Sequence, residues 1–270
     1  MTAGILHPVR KALIPCGGKG TRMAALSRGG AKELLPVAGT PLLLWVLREC
    51  ASSGIEEAMV VIAPGKDEVA DVALDAAGTP GLPKRVHIGI QAEPRGLADA
   101  IRVGREFADG TPLAVALPDN LFVGAAPALA QLAGVHHATR KNVVAMVELF
   151  QKDAERYGPT SIYPGTVRGD EFSIDAVPAK GDRGKTFDLG GAASGFTGVG
   201  RYVFTAEVFA VIDEVEAGLK QGEELDDIPV MRVLLQRGRL TGCRIEGDFL
   251  DVGIPSGYGE ADDRLGRRPR

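Results

Sequence analysis

The sequence predicts an α/β protein in which a mostly parallel, mixed sheet is covered by helices on both faces. Through the first 150 residues, apolar strand-like runs alternate with amphipathic helix-like segments. The strand-like runs are continuously apolar, which is typical of strands buried on both faces of a helix-covered sheet. Beyond Tyr157 the runs shorten and alternate between apolar and polar residues, which predicts a smaller antiparallel part.

The first half of the chain is predicted to form five strands with four helices between them. The predicted strands are Lys11–Cys16, Ala58–Ala63, Arg85–Gln91, Leu113–Leu117 and Asn142–Leu149. The predicted helices are Thr40–Ser53, Lys66–Ala76, Leu97–Phe107 and Ala126–His137. Thr40 as N-cap, followed by Pro41 at the first helical position, predicts the start of the first of these helices. Because ligands of such sheets bind beyond the carboxyl ends of the strands, we expect the functional residues there.

The second half is predicted to mix short antiparallel strands with two helices. The strands are Thr160–Tyr163, Phe172–Val177, Arg201–Phe204 and Leu240–Glu246, and the helices are Thr205–Leu219 and Asp226–Gln236. An acidic run, Glu223, Glu224, Asp226 and Asp227, opens the second helix. We interpret it as structural, because carboxylates suit the positive end of a helix dipole. The basic segment 264–270 is expected to fray.

Bulk properties favour a cytoplasmic protein that acts on small molecules. The net charge of -4 gives no reason to expect a nucleic-acid partner. Three widely separated cysteines support neither a disulfide framework nor a zinc site. We find no signal peptide, and the apolar run Pro41–Leu47 is too short to span a bilayer, so no membrane partner is expected.

Two motifs that follow the first strand suggest phosphate binding. Residues 17–22 read Gly-Gly-Lys-Gly-Thr-Arg, in which glycine backbones can approach an anion closely and Arg22 supplies a fixed charge. Ten residues after Arg22, Lys32 opens the run Lys-Glu-Leu-Leu-Pro. Either motif alone has a simpler interpretation, a tight turn for the first and a surface lysine for the second. The dinucleotide fingerprint GxGxxG is broken at Met23, which disfavours a Rossmann dehydrogenase.

A third glycine-lysine motif resembles a phosphate-binding loop, but we interpret the resemblance as accidental. Residues 179–186, Ala-Lys-Gly-Asp-Arg-Gly-Lys-Thr, fit a relaxed Walker A pattern. A phosphate loop of that kind must lead into a helix whose N-terminus holds the phosphates. The residues that follow, Phe-Asp-Leu-Gly-Gly, form helices poorly. The pattern therefore does not predict a phosphate loop at this position.

Taken together, the first two motifs resemble those of nucleotidyltransferases that activate sugar 1-phosphates. The sequence is most similar to bacterial UTP–glucose-1-phosphate uridylyltransferases, with glucose-1-phosphate thymidylyltransferases second. Further segments carry the resemblance in the same order along the chain: Gln91–Leu97, Leu117–Asn120, Tyr157-Gly158, Val199–Phe204 and Phe249–Gly253. The first pair of motifs and these five segments occur in the same order as in the family, which makes a chance agreement improbable.

The resemblance implies a fold, a reaction and partners. It implies a Rossmann-like, GT-A-like nucleotidyltransferase fold made of one domain over residues 1–270. A nucleotide-binding half would span about 1–150, and a sugar-binding half with the antiparallel strands about 151–260. The implied reaction is Mg²⁺-dependent transfer of a nucleotidyl group from a triphosphate to a sugar 1-phosphate, giving a nucleotide sugar and pyrophosphate. UTP and glucose 1-phosphate are the expected substrates, and a homo-oligomer is expected.

The resemblance also implies residue roles. Arg22 and Lys32 would be the catalytic cations, and Asp119 and Asp251 would bind Mg²⁺. The nucleotide would be bound by Gly17, Gly18, Gly20, Thr21, Glu33, Gln91 and Gly96. The sugar phosphate would be bound by Asn120, Gly158 and Lys180. Cations suit this chemistry, because two unit charges about 4 Å apart repel by about 4 kcal/mol at an effective dielectric near 20.

The match fails at one place, and this leaves alternatives open. Relatives carry Glu-Lys-Pro where this chain has Val-Pro-Ala-Lys at residues 177–180, so no glutamate precedes the lysine. Lys180 or Lys185 could replace the missing lysine, and the distance from the preceding strand favours Lys180. Arg28 is a further candidate for the pyrophosphate. The run Asp-Asn-Leu-Phe at 119–122 looks more like thymidylyltransferases, and the altered segment also allows a non-catalytic relative that binds nucleotide sugars.

Overall fold

The computed structural model describes residues 8–18, 20–27, 29–152, 160–181 and 187–266. Its strands, in chain order, are β1 (Lys11–Cys16), β2 (Pro36–Val37), β3 (Thr40–Pro41), β4 (Glu57–Ile62), β5 (Arg85–Ile90), β6 (Leu113–Ala116), β7 (Asn120–Val123), β8 (Asn142–Phe150), β9 (Gly165–Arg168), β10 (Glu171–Ile174), β11 (Ser194–Phe204), β12 (Leu240–Arg244) and β13 (Asp248–Asp251). Its helices are α1 (Ala24–Ser27), α2 (Leu42–Ser52), α3 (Asp67–Asp75), α4 (Leu97–Val103), α5 (Arg105–Ala108), α6 (Ala128–Thr139), α7 (Glu207–Ala217), α8 (Asp227–Gln236) and α9 (Pro255–Gly266).

Nine of the described strands form one sheet in the order β5-β4-β1-β6-β11-β8-β12-β10-β9. β5, β4, β1 and β6 pair in parallel, as do β8 and β12. β11 and β10 run antiparallel to both of their neighbours, so the other strands of the sheet all point one way. The predicted mostly parallel, mixed sheet is confirmed, and both reversed strands come from the second half of the chain.

Apolar residues of β1 alternate between two buried clusters, which places helices on both faces of the sheet. Ala12 and Ile14 pack into one cluster with α2, α3, α6 and α9, whereas Leu13 packs into the other with α4, α7 and α8. Successive strand residues point to opposite faces, so the two clusters lie on opposite sides. The predicted strands of the first half agree with the observed ones to within one residue at each end.

Four local predictions are corrected by tertiary contacts. Thr40 does not cap a helix, because Thr40–Pro41 pairs with Pro36–Val37 and α2 begins at Leu42. The helix predicted over 97–107 is divided at Gly104, where a Cβ would lie 2.5 Å from a methyl group of Leu13.

The other two corrections lie in the second half. The strand predicted over 160–163 reduces to one bridge between Tyr163 and Phe196. Residues 264–266 of the segment expected to fray are helical and end α9, and Arg264 donates to Asp248 of β13; residues 267–270 lie outside the described residues. None of the described helices is both long enough and apolar enough to cross a membrane.

The sheet order brings distant segments to one edge. β1 and β6 are parallel neighbours. The segment of residues 17–22 that follows β1, called the glycine segment below, and the turn after Ala116 therefore leave the sheet side by side. Beyond that edge, β7 pairs antiparallel with β13, with Asn120 opposite Asp251. This small ribbon carries the end of the chain back over the carboxyl ends of the parallel strands.

Candidate active site

The two predicted metal ligands converge at the ribbon between β7 and β13. Asp119 immediately precedes β7, and Asp251 ends β13 opposite Asn120. A Cβ placed on Gly253 would lie 3.1 Å from Asp119 Oδ2 and 3.1 Å from Asp251 Oδ1, so these oxygens are separated by at most twice that distance. A side chain at residue 253 would stand between the two carboxylates, and glycine leaves that space open.

Lys32 reaches the same carboxylate. Its Nζ lies 2.6 Å from Asp119 Oδ2, and the two side chains are only 16% and 11% exposed. Burial raises the pKa of Asp119, but the charge and hydrogen bond of Lys32 outweigh it and lower the pKa below its ordinary value. Burial likewise lowers the pKa of Lys32, and Asp119 outweighs it to raise that pKa. The pair is therefore held ionised, as a carboxylate that binds a cation must be.

The glycine segment is fastened from beneath by Lys66. Its Nζ donates to the carbonyl oxygens of Cys16 at 2.6 Å and Gly18 at 2.9 Å, and to Glu33 Oε2 at 3.0 Å. Glu33 is 1% exposed, so the structure places this predicted nucleotide-binding carboxylate under the segment, where it pairs with Lys66. Sequence reasoning missed Lys66, because a lysine after a strand carries no signal of its own.

The predicted base-binding segment lies against the glycine segment. Gln91 is 5% exposed, and its Nε2 donates to Gly96 O at 3.1 Å and to Asp99 Oδ2 at 2.9 Å. Its Oε1 would lie 2.6 Å from a Cβ on Gly17, so residue 17 has to be glycine for this approach. Gly96 has φ +118, and a Cβ there would stand 2.4 Å from the carbonyl oxygen of Leu225.

A cleft of about 680 Å³ opens beyond the strand ends, a size typical of small-molecule sites. The predicted site residues that line it are Arg22, Asp119, Asn120, Lys180 and Asp251. Polar side chains of the second half complete the wall: Thr160, Ser161, Tyr163, Thr197, Tyr202 and Asp227. Cations, carboxylates and hydroxyl groups from both halves of the chain therefore face one space.

Asn120 and Arg201 support the turn that carries Asp119. Asn120 Oδ1 accepts a hydrogen bond from Gly200 N at 2.8 Å, and its Nδ2 donates to Asp119 Oδ1 at 3.3 Å. Arg201 is completely buried and donates to the carbonyl oxygens of Leu117 at 2.8 Å and Asn120 at 2.7 Å. Arg201 lies in the motif Val199–Phe204, which carries the resemblance but predicts no role for the arginine.

Several predicted residues lie outside the described residues or only partly within them. Gly158, together with Tyr157, Lys185 and Arg28, lies outside them, as does most of the Walker-like segment. The backbone of Thr21 begins a short 3-10 turn over Thr21–Met23. Gly20 has φ +61, a left-handed conformation that glycine adopts without strain, and Gly18 is exposed at the surface of the segment.

The residues present fit a divalent cation of the hard type. Asp119 and Asp251 offer carboxylate oxygens, one of them kept ionised by Lys32. Among the described residues there is no cluster of three or more histidine, cysteine or acidic side chains that could hold a metal by itself. Mg²⁺ is commonly bound by one or two carboxylates, with water and substrate phosphates as its other ligands. This donor set suits such a shared site.

Comparison with known proteins shows which family the chain belongs to. The family model described as Nucleotidyl transferase matches residues 11–267. A UTP–glucose-1-phosphate uridylyltransferase of Bacillus subtilis (strain 168) is 28% identical over 94% of this chain and 89% of the relative. A UDP-glucose pyrophosphorylase complexed with UDP-glucose has a TM-score of 0.77 at 22% identity, over 95% of this chain and 98% of the other. The UTP-bound UGPase from Acinetobacter baumannii has a TM-score of 0.76 at 21% identity, over 97% and 95%.

The two solved structures confirm the predicted nucleotidyltransferase fold. The family match covers nearly the whole chain, including the glycine segment, Asp119 and Asp251. It excludes the dehydrogenase alternative and identifies the activity class as nucleotidyl transfer. The chain therefore belongs to the nucleotidyl transferase family.

Proposed function

We propose that this protein transfers a uridylyl group from UTP to glucose 1-phosphate, in a Mg²⁺-dependent reaction that yields UDP-glucose and pyrophosphate. The observation that carries the proposal is that Arg22, Asp119, Asp251 and Lys180 line one cleft beyond the strand ends. The name of the Bacillus subtilis relative supports the choice of substrates. The cytoplasm is the setting that we propose for it.

The chemistry is a displacement at phosphorus. An oxygen of the sugar phosphate attacks the α-phosphorus of UTP, a new P–O bond forms, and the bond to pyrophosphate breaks. The sugar phosphate is already ionised near neutral pH, so no protein nucleophile or general base is needed. Catalysis then consists mainly of alignment and of neutralising negative charge.

The described residues divide this task by position. Arg22 and the N–H groups of the glycine segment would hold the β- and γ-phosphates, with Lys66 fixing the segment from below. Lys32, beside Asp119, would offset charge at the α-phosphate. Asp119 and Asp251 would hold Mg²⁺, which supplies positive charge shared between the two substrates. Lys180 would meet the phosphate of the sugar.

The two catalytic cations give a prediction for turnover. Arg22→Ala and Lys32→Ala should each lower kcat by roughly 10²–10³, because a charge-assisted contact to the transferring phosphates is worth a few kcal/mol. Arg22 is exposed, so its replacement should leave the melting temperature unchanged. Arg48→Ala, at another exposed arginine, on α2, serves as the matched control and should keep wild-type turnover. Normal turnover per folded molecule in both active-site variants would make these residues structural.

Substrate choice is tested by measuring pyrophosphate release over a panel of triphosphates and sugar 1-phosphates. We expect UTP with glucose 1-phosphate to give the highest kcat/KM. A tenfold higher kcat/KM for dTTP would assign the chain to thymidylyl transfer. Nucleotide-sugar binding without turnover for any pair would instead identify a non-catalytic relative and overturn the proposal.

A further inference from the structure

Asp227 opens α8, but it also lies on the wall of the substrate cleft. The residue is 6% exposed and lines the cleft at the end formed by the second half of the chain. Its Oδ2 accepts a hydrogen bond from the hydroxyl group of Tyr202 at 2.9 Å. A purely capping role does not require a carboxylate to face a cavity, so this position calls for a second explanation.

The neighbouring residue ties the predicted phosphate-binding lysine to this spot. Asp226 is the N-cap of α8, and its Oδ1 accepts from the backbone N of Asp227 at 3.0 Å. Its other oxygen forms an ion pair with Lys180. The cation that would meet the sugar phosphate is thus held one residue away from Asp227. A sugar whose phosphate is bound at Lys180 would occupy the cleft that Asp227 also lines.

Three other hydroxyl groups of this wall already take part in hydrogen bonds. Thr160 Oγ1 and Thr197 Oγ1 are 2.5 Å apart, and Ser161 Oγ donates to Ala179 O at 2.5 Å. Asp119 and Asp251, the other carboxylates that line the described part of the cleft, lie together at the metal end. At the end near Lys180, Asp227 is therefore the acidic group best placed to bind a ring hydroxyl.

We propose that Asp227 is the specificity-determining residue that binds a ring hydroxyl of the sugar 1-phosphate. It supplies from α8 the carboxyl group that the segment before Lys180 lacks, since residues 177–179 are Val-Pro-Ala. A carboxylate oxygen accepts a hydrogen bond from a ring hydroxyl group more strongly than a neutral amide oxygen does, so Asp227→Asn should weaken this contact. The inference rests on the proposed function, because it names the sugar-reading group of that same site.

The test compares glucose 1-phosphate with its monodeoxy analogues in the wild type and in Asp227→Asn. In the wild type, the analogue that lacks the bound hydroxyl should lose about 10- to 100-fold in kcat/KM, the range expected for one hydrogen bond to a charged or strongly polar group. In Asp227→Asn that loss should shrink severalfold or vanish, while the other analogues keep their relative rates. The KM for UTP should not change.

Each outcome of this series decides the matter. An unchanged analogue pattern in Asp227→Asn would overturn the inference even though the enzyme is active. Tyr202→Phe tests whether Asp227 binds the sugar directly or only positions Tyr202. If Tyr202→Phe changes the relative rates of the analogues in the same way as Asp227→Asn does, Asp227 acts only by holding Tyr202 in place, and the inference is wrong. If Asp227→Asn does not fold, Asp227→Glu keeps the carboxyl group and moves it by one methylene, so it should change which analogue is worst. A wild type inactive on every sugar phosphate would instead refute the proposed function itself.

Discussion

Asp119→Asn and Asp251→Asn are each expected to lower pyrophosphate release by at least about 10²–10³, because each change removes one of the two negatively charged ligands that we propose for Mg²⁺. The two carboxylates approach the same point near Gly253 from different segments, so we expect that one of them cannot compensate for the loss of the other. Asp251→Asn is the cleaner variant, since Asp119 is also the ion-pair partner of the largely buried Lys32. Turnover measured against Mg²⁺ concentration checks this, and both variants should need more metal than the wild type.

Two controls accompany these variants. Asp75→Asn, at an exposed aspartate on α3, removes the same charge from the surface and should keep wild-type turnover. Excess EDTA should abolish the activity of the wild type, and added Mg²⁺ should restore it. Full activity in EDTA, or a wild-type rate in either active-site variant, would refute the metal assignment.

Arg201→Met is expected to lower the free energy of unfolding by about 3–5 kcal/mol, as for removal of one partner from a buried ion pair. Arg201 is completely buried and donates to Glu49 Oε2 at 2.8 Å as well as to the carbonyl oxygens of Leu117 and Asn120. Methionine fills similar volume but removes the hydrogen bonds and the positive charge that Arg201 supplies to Glu49 and to both carbonyl groups. Urea unfolding measures the loss, and pyrophosphate release per folded molecule should also fall because Leu117 and Asn120 flank the Asp119 turn.

A double variant separates the two functions of Arg201. Adding Glu49→Met to Arg201→Met removes the orphaned carboxylate, so it should recover part of the stability. Turnover should stay low, because the carbonyl oxygens of Leu117 and Asn120 still lack their donor. Destabilisation of less than 1 kcal/mol by Arg201→Met, or full turnover in the double variant, would show that Arg201 does not hold the site.

Local patterns were sufficient for elements whose residues face a uniform environment. Residues 12–16 of β1 are apolar, as suits a strand covered on both faces, and the predicted bounds Lys11–Cys16 match the observed ones. The prediction that Thr40 caps a helix was wrong, because Thr40 pairs with Val37 in a short antiparallel ribbon instead. Gly104 divides a helix for a similar reason, since the helical segment passes close to Leu13 of β1.

For the site, sequence motifs named Arg22, Asp119 and Asp251 by resemblance, and the distance from the preceding strand favoured Lys180 over Lys185. All four named residues line one cleft in the structure. The supporting groups were not foreseen. Lys66 bonds to carbonyl oxygens, which every residue carries, so no pattern in the sequence announces its partners. Asp227 was interpreted only as part of an acidic run that opens a helix. Its hydrogen bond with Tyr202 of β11 forms between distant parts of the sequence, so no local pattern indicates it.

The sequence by itself determined the fold class, the strands that the first half contributes to the main sheet, and the candidate residues for phosphate and metal chemistry, because these depend on local periodicity and on short motifs. Tertiary structure alone decided that Asp119 meets Asp251 and Lys32, and that Lys180 is held by Asp226. Such contacts depend on the order of strands in the sheet. That order is selected by packing the whole core, and pairing between distant segments leaves no periodic signature in either of them.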